Sequence, residues 1–224
     1  MKKHLLFIKN HYLILLTVLF IICLIAIGYS EYQQKKMYKD QISSQLRSDI
    51  STIANQFMEI DRFYDSILTT NQYNYQATRN EADFIYIRLR DIMLLTDKWF
   101  FLSQDFGYLD EYPTKYLGDS LSTVCTYFFE GVKTDQPITD KDKKILLTFQ
   151  SYNKALIKAL AKSELFQPYE NALIFKEKYK ESALQVSDLV WLRTLLLLEK
   201  ESIQFLEERH LQKLSDVISR EGSR

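Results

Sequence analysis

The chain has 224 residues, of which 46% are hydrophobic, 14% aromatic and 26% charged. Only five Gly and three Pro occur, which disfavours a many-stranded β fold and favours long helices. The 29 Lys and Arg balance the 29 Asp and Glu, so no basic excess indicates a nucleic-acid partner.

The first strong feature is an apolar segment at residues 12–29, interrupted only by Thr17 and Gly28. At about 1.5 Å per residue, these roughly 18 residues just reach across the ~30 Å hydrocarbon core of a bilayer. The alternative is a cleaved secretory signal that uses the small residues Ala26 and Gly28. Because the apolar run exceeds the usual length of a signal, we predict a retained signal anchor at 12–29 that follows a short basic tail at 1–11.

The membrane orientation depends on a nearly balanced count of flanking lysines. Only the α-amino group and Glu31 favour a cytoplasmic N-terminus. Three lysines lie on each side: Lys2, Lys3 and Lys9 before the segment, and Lys35, Lys36 and Lys39 after it. We therefore expect a single-pass protein whose residues 30–224 form an extracytoplasmic domain. This domain holds one cysteine, Cys125, so it contains no internal disulfide.

Alternating spacings of four and three residues predict a long amphipathic helix after the apolar segment. The stripe covers about three heptads: Leu46, Ile50, Ile53, Phe57, Ile60, Tyr64 and Ile67. We expect this stripe to pack inside one chain, because the helices that follow also need neighbours. The alternative is a coiled coil in which two copies of the stalk pair. A polar and aromatic tip at 71–76 follows the helix.

Start and stop residues divide the next part of the chain into three helices. The second helix is predicted to start near Asn80 and to stop at Gly107. A third, shorter helix is expected to be capped by Asp119 and closed by Gly131, and a fourth to be capped by Thr139 or the next residue. Each carries one apolar stripe, which indicates packing against the others.

The last predicted helix starts at Pro168 and continues from Tyr169 to about Arg220, because no residue there breaks helicity. A straight helix of this length would reach ~75 Å, so we expect a bend near 187–188. The predicted fold is therefore all-α: a single N-terminal transmembrane helix, followed by an antiparallel bundle of about five helices in 30–224.

Few residues of the domain are suited to metal binding or nucleophilic catalysis. Beyond residue 30, His210 and Cys125 are the only His and Cys. Glu207 and His210 have the spacing of a di-iron ligand pair, but the second His that such a site needs is absent. We therefore predict no catalytic residue, no metal site and no cofactor.

One enzymatic alternative is a cell-wall glycan-acting enzyme that uses a single buried Glu as general acid. Glu130 is a candidate because it follows the apolar residues 127–129. Glu201 is another, because the pair Glu201-Ser202 is similar to the Glu-Ser start of lytic transglycosylases. The Gly-Leu-Met-Gln element of that family is absent downstream.

An aromatic cluster is the candidate interaction patch: Trp99, Phe100, Phe101, Phe106, Tyr108 and Tyr112. Consecutive residues lie ~100° apart on a helix, so the first three cannot all face one core stripe. Either several helices surround this segment, or part of it is an exposed surface for a partner.

These observations predict a membrane-anchored, non-enzymatic interaction protein with an accessory, assembly or inhibitory role. Its expected partners are the lipid bilayer and another membrane or envelope protein. The sequence leaves the oligomeric state open.

Overall fold

The computed structural model describes residues 2–69, 75–110, 113, 115–131, 138–170, 172–180 and 184–222, with side chains except at residues 2–15, 75–78, 131 and 222. The structure is 80% helical, so the predicted all-α class is confirmed. The chain divides into two compact units, Met1–Ser44 and Gln45–Arg224.

The first unit consists of the N-terminal part of helix α1, which spans Lys2–Thr69. Large apolar side chains between Leu16 and Tyr29 are all exposed. By length and composition this helix is able to cross a membrane, a property that signal sequences share. The first unit is therefore compatible with a single-pass anchor.

The second unit contains the rest of α1 and five further helices within the described ranges. They are α2 (Tyr75–Asp105), α3 (Tyr116–Thr126), α4 (Asp140–Lys162), α5 (Val190–Glu208) and α6 (Asp216–Gly222). A π-helical turn, Tyr127–Gly131, continues α3, and a 3-10 turn, Glu177–Tyr179, precedes α5. Two short strands, β1 (Phe166–Tyr169) and β2 (Ala172–Phe175), form an antiparallel hairpin.

Helices α1 and α2 form an antiparallel pair within the second unit. Near one end, Asp49 accepts hydrogen bonds from Lys98 Nζ at 2.6 Å and from Trp99 Nε1 at 3.0 Å. Further along, Gln56 Nε2 donates to Asp91 Oδ2 at 3.4 Å. All seven residues of the predicted α1 stripe are at most 2% exposed: Leu46, Ile50, Ile53, Phe57, Ile60, Tyr64 and Ile67. The stripe therefore packs inside one chain, as predicted.

Helices α4 and α5 close the bundle around Tyr152. Its hydroxyl lies 2.7 Å from Ser202 Oγ, and its ring packs edge-on against Phe205 at 5.2 Å. The next residue, Asn153, donates from Nδ2 to the backbone oxygen of Phe57 at 3.0 Å and so connects α4 to α1. These contacts join helices that are distant in sequence into one core.

The predicted helix from residue 169 to residue 220 is wrong over its first part. Strand β1 contains Pro168, and the described residues from 172 to 189 form a strand, a 3-10 turn and irregular structure before α5 begins at Val190. The ring of Phe166 is fully buried and stacks on Phe175 at 5.0 Å, which stabilises the hairpin. Pro168 lacks the N–H that a helix interior needs, whereas a strand edge tolerates it.

Two predicted helix starts differ from the structure. Helix α2 begins at Tyr75, five residues before Asn80. Helix α3 begins at Tyr116, so Asp119 lies within its first turn and does not cap it. The predicted cap of α4 is confirmed, because Thr139 and Asp142 form a reciprocal capping box.

The predicted stops at the ends of two helices agree with the structure. Gly107 follows the end of α2 with a φ of +69°, a conformation that glycine adopts without a steric penalty. Gly131 ends the π-helical turn. Of the predicted tip at 71–76, residues 71–74 lie outside the described part of the chain.

Candidate functional site

The predicted aromatic patch is divided between the core and the surface. Trp99 and Phe100 are buried, and the ring of Trp99 packs against that of Trp191 at 5.6 Å. Phe106 and Tyr108 are half-buried, with their rings 5.7 Å apart. Tyr112 lies outside the described residues. Of the five that are described, only Phe101 is exposed, at 60%.

Phe101 belongs instead to a line of apolar side chains on the outer face of α2. Ile87, Leu94 and Phe101 lie seven residues apart and are 40%, 62% and 60% exposed. They project from the side opposite Leu89 and Ile92, which are buried. We call Ile87, Leu94 and Phe101 the α2 stripe.

Charged side chains surround the α2 stripe. Asp83 and Asp105 are exposed and lie near its two ends, in line with the apolar residues. Arg90 and Asp97, also exposed, lie one heptad apart along one edge. Three carboxylates against one guanidinium give this face a net charge of about −2 at neutral pH.

The opposite edge of the α2 stripe faces α1, and its charged groups are already engaged. Asp91 accepts a hydrogen bond from Gln56, and Lys98 pairs with Asp49 at 2.6 Å. The charges available to an external partner are therefore mainly acidic.

Two ring pairs widen the apolar surface around the N-terminal half of α2. On the α1 side, Phe84 stacks on Phe63 with ring centroids 5.3 Å apart and planes 9° apart. On the other side, Tyr86 packs against Phe129 of the π-helical turn at 5.4 Å. Phe129 is 71% exposed, so this pair continues the apolar surface towards α3.

Sequence analysis assigned only one stripe to α2, the stripe that is buried. The second stripe has a signal in the sequence, the seven-residue spacing of Ile87, Leu94 and Phe101. The assignment of one face to the core made the other face read as an ordinary solvated surface.

Glu130, the first candidate for an acid catalyst, lies in a cleft of about 470 Å³ between the π-helical turn and α6. Glu130 itself is exposed and not buried as expected. Hydroxyl groups dominate the cleft, whose other lining residues are Ser122, Thr123, Thr126, Tyr127, Ser215 and Ile218.

Tyr127 supplies a fixed wall to this cleft. Its hydroxyl donates to Asp142 Oδ1 at 2.9 Å, and its ring packs on Phe149 at 5.3 Å. Burial, together with the hydrogen bond to Asp142, raises the pKa of Tyr127 well above its ordinary value. The phenol is therefore neutral at physiological pH and acts as a hydrogen-bond donor.

The other candidate chemical groups lie apart from this cleft. Glu201 is half-buried, and the one buried glutamate among the described side chains is Glu199, which caps α3. Glu207 and His210 are both exposed at the C-terminal end of α5. Within the described ranges, no group of three or more His, Cys, Asp or Glu side chains has the arrangement of a metal site.

Comparison of the chain with protein families, with curated proteins and with solved structures finds no match.

Proposed function

We propose that this protein is a membrane-anchored, non-enzymatic interaction protein that contacts its partner through the α2 stripe. The observation that carries the proposal is the exposure of Ile87, Leu94 and Phe101 along one face of a helix whose other face is buried. Surface helices of monomeric proteins normally place polar residues on the outer face. Aligned, exposed apolar side chains indicate a surface that another protein covers.

The anchor in this proposal is the apolar segment at residues 12–29, retained in the mature protein. The exposed apolar side chains between Leu16 and Tyr29 support it, because they would contact lipid. The N-terminus is cytoplasmic and residues 30–224 are extracytoplasmic, as the lysine count favours. The partner is accordingly another membrane or envelope protein with an extracytoplasmic part, and the role is accessory, assembly or inhibitory.

Photocrosslinking in cells tests this proposal. The full-length chain carries a photoreactive benzoylphenylalanine at position 94 or, as the matched control, at position 147. Leu147 is 50% exposed on α4 and lies outside the α2 stripe. We expect a discrete adduct with another membrane-fraction protein from position 94 and none from position 147. Equal yields from the two positions would contradict the proposal.

A second candidate function, action on cell-wall glycan, is favoured by one specific observation. The carboxyl group of Glu130 shares its cleft with several hydroxyl side chains, which match the hydrogen-bonding groups of a sugar. The test is release of soluble fragments from purified cell-wall glycan by the full-length protein. Activity that is lost in Glu130→Gln and retained in Glu201→Gln would favour the enzyme over the interaction protein.

A further inference from the structure

We infer that the partner of the α2 stripe is a basic amphipathic helix of another protein, with apolar side chains at seven-residue intervals. This inference rests on the proposed function, because it names the partner of the same surface. Three properties of the face lead to it: its shape, its charge and its poor match to a second copy of the chain.

The shape of the α2 stripe fits a helix. From Ile87 to Phe101 the stripe runs straight along about 21 Å of α2, at the rise of an α-helix. A partner helix that packs alongside repeats its own contacts every seven residues, which is the interval between Ile87, Leu94 and Phe101. An extended strand or a globular loop has no such repeat.

The charge of the face selects a basic partner. Asp83 and Asp105 lie in line with the α2 stripe at either end, and Asp97 lies on its edge. Lys and Arg on the partner helix would face these carboxylates, with one acidic residue opposite Arg90. The same charges disfavour a lipid surface as the occupant, because helices that lie on membranes carry Lys and Arg beside their apolar face.

A second copy of the chain fits this face poorly. In a parallel pair each residue faces its own counterpart, so Asp83 meets Asp83 and Arg90 meets Arg90, and like charges repel. In an antiparallel pair, residue 45, where each chain enters the second unit, would lie at opposite ends of the two α2 helices. Two copies that are anchored in one bilayer enter from the same side.

Charge reversal in the full-length chain tests the inference with the same crosslink from position 94. We expect the double variant Asp83→Lys/Asp105→Lys to lower the adduct yield about tenfold, because two attractions become repulsions. Arg90→Glu is expected to retain or raise the yield. The matched control is Glu207→Lys/Glu208→Lys, which makes the same change in net charge at two exposed residues of α5 and leaves the yield unchanged.

A direct binding measurement uses two labelled synthetic peptides and the full-length protein in detergent micelles. Both peptides are helical with Leu every seventh residue, and their flanking positions carry Lys in one and Glu in the other. We expect the Lys peptide to bind at least about tenfold more tightly, to weaken with added salt, and to lose binding to Leu94→Asp.

The outcomes separate this inference from the proposed function. An adduct from position 94 that ignores the charge reversals, or tighter binding of the Glu peptide, overturns the basic helix while the α2 stripe remains the contact surface. An adduct made of two copies of this chain also overturns the basic helix. No adduct from position 94 rejects both the partner helix and the proposed function. A crosslinked partner segment with Lys or Arg beside a seven-residue apolar repeat supports the inference.

Discussion

Glu199 on α5 caps the first turn of α3 by accepting a hydrogen bond from the backbone N–H of Leu117 at 2.8 Å. Its second carboxylate oxygen accepts from the N–H of Tyr116, also at 2.8 Å. The first N–H groups of a helix have no partner within that helix, so a buried carboxylate from another helix satisfies two of them. This contact fixes the start of α3 against α5.

Removal of this cap is expected to destabilise the second unit. Glu199→Ala leaves two backbone N–H groups without their acceptor in a buried site, and we expect it to lower the free energy of unfolding by about 2–3 kcal/mol. Glu199→Gln keeps one acceptor oxygen and is expected to lower it by about half as much. Denaturant melts followed by circular dichroism give both values, with Glu201→Ala as the matched control. A melt of Glu199→Ala equal to that of the wild type would contradict the capping role.

The stripe on α1 predicts the effect of a charge in the core. Ile60 is fully buried, so Ile60→Asp places an unpaired carboxylate among apolar side chains. We expect a loss of about 3–5 kcal/mol or complete unfolding. Leu147→Asp, at an exposed position of α4, is the control and is expected to melt like the wild type. A cooperative melt at the wild-type temperature for Ile60→Asp, with dissociation of a dimer, would instead assign this face to paired stalks.

The two faces of α2 are expected to respond differently to the same substitution. Leu89 is buried, so Leu89→Asp should unfold the second unit. Leu94 is exposed, so Leu94→Asp should change the free energy of unfolding by less than about 0.5 kcal/mol while it abolishes the crosslink to the partner. Thermal melts of both variants test this difference. Equal destabilisation by the two variants would show that the α2 stripe is structural.

Asp61 predicts a pH dependence of stability. Its carboxyl lies 3.9 Å from Lys154 Nζ, and burial raises its pKa above the ordinary value more than Lys154 lowers it. A raised pKa in the folded state means that ionisation is less favourable there than in the unfolded chain. The stability contribution of Asp61 is therefore present below its unfolded pKa and is lost as the pH rises through its folded pKa.

Asp61→Asn removes this ionisation. Relative to the wild type, the variant is expected to be more stable at pH 7 than at pH 3, where the wild-type carboxyl is protonated as well. Denaturant melts at the two pH values measure the difference. A variant whose stability relative to the wild type falls between pH 3 and pH 7 would show that attraction by Lys154 dominates over burial.

The parts of the fold that were predictable from the sequence are those with a local, repeated signal. The seven buried residues of α1 recur at helical spacing, so their face was visible without knowledge of their neighbours. Thr139 and Asp142 form a cap within one turn, and Gly107 ends α2 through its own backbone conformation. Such features depend on a few adjacent residues.

The features that were missed depend on residues distant in the chain or on very short elements. The start of α3 is fixed by Glu199, 83 residues after Tyr116, so the nearby Asp119 was mistaken for its cap. Each strand of the hairpin has only four residues, too few for a clear alternation, and its stability comes from the burial of Phe166. Helical propensity in the surrounding sequence concealed both strands.

The interaction surface was predictable only in part for a different reason. Phe101 was placed in an aromatic patch with Trp99 and Phe100, although its neighbours on the surface are Ile87 and Leu94. Adjacent residues on a helix point in different directions, so a sequence cluster seldom forms a spatial cluster.

A crosslinking scan along α2 tests most directly whether the α2 stripe is the contact surface. The photoreactive residue is placed in turn at positions 87, 90, 94, 97 and 101 of the full-length chain, and adduct yield is measured in the membrane fraction. The proposed function predicts high yields at 87, 94 and 101 and lower yields at 90 and 97, which follow the edge of the face. A uniform yield across the five positions, or no adduct at any of them, would contradict it.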